Sequence, residues 1–93
     1  MAHKYLAASG AVGASGDNNQ AWRIVINGTD PGATDPGTVV LKTGGSGGTT
    51  QCSFKVLFGD SSQFKLPNIV FDYVTLTDAG CLVEYYKQHG KAA

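Results

Sequence analysis

Apolar and polar positions alternate from Gln20 to Asn27, with Trp22, Ile24 and Ile26 on one side and Arg23, Val25 and Asn27 on the other. That period of two is the signature of a strand buried on one face. Trp22, the largest of these side chains, is expected to be the main piece of the core. Thr38–Lys42 and Cys52–Phe58 read as two more strands joined by the glycine-rich run Gly44–Gly48. In the second of these, Cys52, Phe54, Val56 and Phe58 fall on one face. Gln63–Pro67 alternates again and is expected to stop at the proline, which cannot donate to a ladder, with Asn68 turning the chain. Ile69–Phe71 is a short apolar run and Tyr73–Thr77 is rich in β-formers. Asp78-Ala79-Gly80 predicts a hairpin turn into Cys81–Tyr86. No window of helical periodicity exceeds about two turns.

Turn chemistry punctuates these runs. Asn27-Gly28 predicts a turn, because both residues tolerate positive φ, and the near-repeats Thr29-Asp30-Pro31-Gly32 and Thr34-Asp35-Pro36-Gly37 predict two further reversals. Together they form an exposed loop of about ten residues, longer than the usual connection and hence a candidate contact surface. The expected fold is all-β: a small antiparallel β-sandwich, jelly-roll-like or a small barrel, of about six to eight short strands. Residues 1–19 form an N-terminal strand or extended arm with a glycine-rich stretch, 20–86 the sandwich body, and 87–93 a polar, basic, flexible tail.

At 93 residues the chain makes one domain with a modest core, which leaves room for association with a partner or with copies of itself, although many isolated domains of this length fold alone. Seven basic and seven acidic residues leave no net charge. That balance lacks the basic footprint of a nucleic-acid binder and tolerates close packing of copies. No run reaches the length of a membrane helix, and the first ten residues lack the apolar centre of a secretory leader. A soluble protein made without a cleaved leader is expected. Cys52 and Cys81 lie far apart in strand-like segments and read as buried free thiols.

Candidate chemistry is sparse. His3 and His89 lie near opposite ends of the sequence, Glu84 is the only glutamate, and Asp17, Asp60, Asp72 and Asp78 each stand beside turn residues. Gly44–Gly48 with Thr49 lacks the lysine and the following helix of a phosphate loop and reads as a connector. A calcium site on Asp30 and Asp35 competes with the turn-forming role that already explains both. Asn27-Gly28-Thr29 matches a glycosylation acceptor, but the lack of a leader-like start and the turn reading favour a chance match. Tyr73, Tyr85 and Tyr86 could stack on sugars, or could be half-buried sheet residues; the adjacent pair must point to opposite faces. No enzyme, cofactor or metal is expected.

The ordered motifs Ser9-Gly10-Ala11-Val12, Thr38-Val39-Val40-Leu41-Lys42 before Gly-Gly-Ser-Gly-Gly, Phe64-Lys65-Leu66-Pro67-Asn68-Ile69, Tyr73-Val74-Thr75-Leu76-Thr77 and Val83-Glu84-Tyr85 span residues 9–86. This order resembles the small virion proteins of tailed bacteriophages, of the β-sandwich capsid decoration or cement type. Asp72 stands where the family pattern commonly has glycine, and the Asp-Pro-Gly loop is longer than usual. The resemblance implies a non-enzymatic structural protein that binds the outside of the assembled head and stabilises it. Its partner would be the major capsid protein, its form a homo-oligomer, a trimer among the options, and its place the virion surface after synthesis in the host cytoplasm. Neither nucleic acid nor membrane is implied as a partner. The partner contacts would fall on Tyr5 and Leu6 in the arm, on Asp30, Pro31, Asp35 and Pro36 in the loop, and on Tyr86. The alternative is a carbohydrate- or receptor-binding β module of a head or tail fibre, using Tyr85 or Tyr86 with loop aspartates.

Overall fold

A computed structural model describes residues 2–13, 17–29 and 36–91 of the chain. The described residues form eight strands: β1 Ala2–Leu6, β2 Gly10–Ala11, β3 Asp17–Gly28, β4 Gly37–Thr43, β5 Thr49–Val56, β6 Ser61–Phe71, β7 Tyr73–Thr77 and β8 Ala79–Lys91. They form two four-stranded antiparallel sheets, ordered β1-β8-β3-β6 and β2-β7-β4-β5. Only β4 and β5 are joined within one sheet; each of the other connections crosses from one sheet to the other. This is jelly-roll connectivity, and the expected all-β sandwich is what the chain forms.

The core lies between the sheets. Ile24, Ile26, Phe71, Cys81 and Val83 face it from the first sheet, and Val39, Leu41, Val56 and Val74 from the second. Phe71, fully buried, is the largest of these, and the Tyr85 ring meets it edge-on at 5.6 Å between centroids. Trp22 does not hold that place. Between Ala21 and Arg23 the β3 chain advances two residues while β8 advances one, from Tyr85 to Glu84, so Trp22 is the extra residue of a bulge. The bulge reverses the parity of β3: Asn19 and Ala21 face the core before it, Ile24 and Ile26 after it. Trp22 is left half-buried with the Arg23 guanidinium 5.9 Å from its ring centroid.

Four other expectations change. Asn27 and Gly28 do not turn; they continue β3 opposite Gly80 and Ala79. Pro67 does not end its strand, because β6 is the edge of its sheet and irregular there: Ala21 pairs with Ile69 and Arg23 with Lys65, leaving three β6 residues opposite Trp22. The predicted β7–β8 hairpin is a corner, with β7 pairing β2 and β4 in one sheet and β8 pairing β1 and β3 in the other. Asp78, with φ of 52°, makes that corner, and its carbonyl accepts the Thr29 N–H at 3.0 Å. The tail expected at 87–93 is strand as far as Lys91, because β3 begins at Asp17 and supplies ladder partners for Lys87 and Lys91. β3, beginning at Asp17, thus runs across the boundary expected after residue 19, and residues 2–6 take the strand form, one of the two expected for this segment.

Candidate interaction surface

Among the described residues, no three His, Cys, Asp or Glu side chains stand close enough to hold a metal ion. Cys52 and Cys81 are free thiols; Cys81 is buried as expected, whereas Cys52 is only half-buried, and burial raises the pKa of both, that of Cys81 to about 11. Glu84 faces outward but is not a lone surface charge. It pairs with Arg23, whose Nη1 donates to Gln63 Oε1 at 2.8 Å, so β8, β3 and β6 are tied across the outer face. The glycine-rich run is more than a connector. The N–H groups of Gly44 and Gly45 converge on the carboxylate of Asp72, a residue 1 % exposed at the β6–β7 corner. The anion held at this loop is the protein's own side chain.

What the described structure offers is sheet edge and apolar surface. β1 and β2, joined by only three residues, border one side of the sandwich; β5 and β6, joined by a four-residue turn, border the other. On that second side Phe54 of β5 and Phe64 of β6 stack with centroids 4.7 Å apart and planes 24° from parallel, bridging the two sheets. Phe64 is still 38 % exposed, and in the connecting turn Leu57 and Phe58 are 51 % and 56 % exposed. Phe58 therefore does not share the buried face of Cys52, Phe54 and Val56, because β5 ends at Val56 and parity no longer applies.

The residues expected to meet a partner separate into three groups. Tyr5, 62 % exposed on edge strand β1, and Tyr86, 47 % exposed on the outer face of β8, are presented to solvent, and Pro36 is exposed ahead of β4. Leu6 is not presented: it is 8 % exposed and belongs to the core, since alternation along β1 turns it inward when Tyr5 faces out. Asp30, Pro31 and Asp35 lie outside the described residues. Phe64, Leu57 and Phe58 were absent from the expected set. The available signal was the pair Leu57-Phe58 immediately before Gly59-Asp60, two large apolar residues at a turn, where small polar ones are usual.

No family model matches the chain, and no curated protein matches it. A solved chain of the Bacillus endospore appendages, reported to form a novel family of disulfide-linked pili, superposes with a TM-score of 0.54 at 17% identity. The likeness covers 92% of this chain and 87% of that one. At this identity it establishes a shared β-sandwich and no more.

Proposed function

We propose that the chain is a non-catalytic structural subunit that packs head to tail with copies of itself into a pilus-like appendage. The carrying observation is the direction of the edge strands. Each sheet has four strands alternating in direction, so β1 runs opposite to β6, and β2 opposite to β5. A copy displaced sideways brings its β1 and β2 antiparallel to the β6 and β5 of its neighbour, extending both sheets. Such a heterologous contact does not close on itself and generates a filament. The absence of net charge removes long-range repulsion between copies, and the pilus-forming neighbour of the same fold supports the reading.

If linkage between subunits involved a disulfide here, the half-buried Cys52 on edge strand β5 would have to supply it. Cys81 is sealed in the core.

Electron microscopy of the purified protein is expected to show filaments that lengthen with concentration, and Phe64→Asp, which places a charge on the β6 edge, to abolish them; the thermal midpoint of the variant, measured alongside, separates loss of the edge contact from loss of the Phe54–Phe64 stack. A closed oligomer of fixed mass would overturn the filament reading. The motif resemblance favours a second reading, capsid decoration, in which the same edges would bind the major capsid protein. A monomer that forms no filaments but co-sediments with expanded phage heads would select it.

A further inference from the structure

The β5–β6 connection is a tight turn that holds two large apolar side chains out of the body. Asp60 N–H donates to the Leu57 carbonyl at 3.0 Å, and Gly59 takes a φ of 83°, open to glycine. The turn is pressed onto the end of β3: Phe58 bridges to Gly28, and the Gly28 N–H donates to the Asp60 carbonyl at 3.3 Å. A Cβ at Gly28 would lie only 2.3 Å from the Leu57 oxygen, so the turn cannot settle closer with any other residue there. Leu57 and Phe58 are thus displayed by a braced element.

A hollow of about 240 Å³ lies directly beside this knob, lined by Pro36, Lys55, Val56, Leu57, Asp60 and Ser62. Cavities of about 150 Å³ accept benzene, so an aromatic ring fits. Among the described residues its lining also carries a cation, Lys55, and an anion, Asp60.

We infer that this corner is a two-fold contact between copies of the chain, in which Phe58 of each copy enters the hollow of the other. A bump adjoining a hollow is self-complementary under two-fold rotation. In such a contact Lys55 and Asp60, which line the same hollow, would be available to pair with Asp60 and Lys55 of the other copy. This balanced pair favours a second copy over a strongly acidic or basic protein. The contact uses the turn end of the β5 and β6 edges and would join one row of subunits to another.

The experiment uses the full chain carrying Phe64→Asp, which blocks stacking along the edges, and measures dimerisation by sedimentation equilibrium. A reversible dimer is expected, weakened about tenfold or more by Phe58→Asp with the thermal midpoint unchanged. Lys55→Asp and Asp60→Lys should each weaken it, and combining them should restore it. A chain that stays monomeric throughout, or a dimer indifferent to Phe58→Asp and to both charge reversals, overturns the contact. Filaments that persist in an otherwise unaltered chain carrying Phe58→Asp, and fail with Phe64→Asp, would uphold the stacking while the dimer assay decides the corner.

Discussion

Asp72 grips Gly44 with both carboxylate oxygens: the Gly44 N–H lies 2.9 Å from Oδ2 and 3.1 Å from Oδ1, and the Gly45 N–H donates to Oδ1 at 2.9 Å. Successive N–H groups can converge in this way because Gly44 and Gly45 have φ of 100° and 81°. The Asp72 backbone is used as well, its N–H donating to the Lys42 carbonyl and its carbonyl accepting from Val12, both at 2.9 Å. One buried residue therefore joins the β6–β7 corner to β4, the glycine turn and the segment after β2. Asp72→Ala removes a charged acceptor from two backbone donors and is expected to lower stability by about 2–4 kcal/mol. Asp72→Asn, which keeps the shape, should cost less. Urea unfolding that shifts its midpoint at constant slope checks both.

Asp72 also shows where the sequence was legible. Its position beside a turn was readable, but its partners lie 27 and 28 residues away, and no local pattern announces them. Strand periodicity marks the centres of β3, β4, β5 and β8, because burying one face imposes a period of two, but it splits β6 at Pro67. It could not say which strand pairs with which, so Asp78 read as a hairpin where it makes a corner between sheets. Trp22 was misplaced for a related reason: a bulge shifts parity by one residue and leaves no mark in the alternation of Trp22, Ile24 and Ile26. At the surface, the expected contacts put Tyr5 and Leu6 together, although strand alternation requires the two to face oppositely, and only Tyr5 is exposed.

Two glycines test whether the turn at Leu57 is braced. At Gly28 a methyl group would collide with the Leu57 backbone, whereas at Gly47 nothing lies within 4 Å. Gly28→Ala is expected to destabilise by about 1–3 kcal/mol, as overpacking does. Gly47→Ala should be within about 0.5 kcal/mol of the parent. Thermal unfolding of the pair reads the difference; equal midpoints would mean that β3 and the turn are not in tight contact.

Burial of Cys81 makes stability depend on alkaline pH. The folded thiol keeps its proton up to about 11, against an ordinary value of 9.0, because its site is apolar. Above pH 9 the unfolded chain binds fewer protons than the folded one, so stability falls as pH rises toward 11, by at most about 1.4 kcal/mol per unit. Below pH 9 both states are protonated and this contribution is flat. Cys81→Ala should remove that part of the slope, whatever its effect at neutral pH. A native-state thiol reagent should modify Cys52 first, and Cys81 only at the rate of unfolding.

Phe54 and Phe64 provide a measure of how firmly the two sheets are joined along the open side. Their rings stack across the gap between edge strands of different sheets, so their coupling acts between layers and not within a ladder. A double-mutant cycle with Phe54→Leu and Phe64→Leu should return a coupling of about 0.5–1.5 kcal/mol beyond the separate losses of area. Phe54 is the more deeply set of the two, so its single substitution should cost more. Zero coupling would mean that the rings are neighbours without mutual stabilisation. The open side would then be held by its strands alone, and Phe64→Asp would act on assembly through the edge itself.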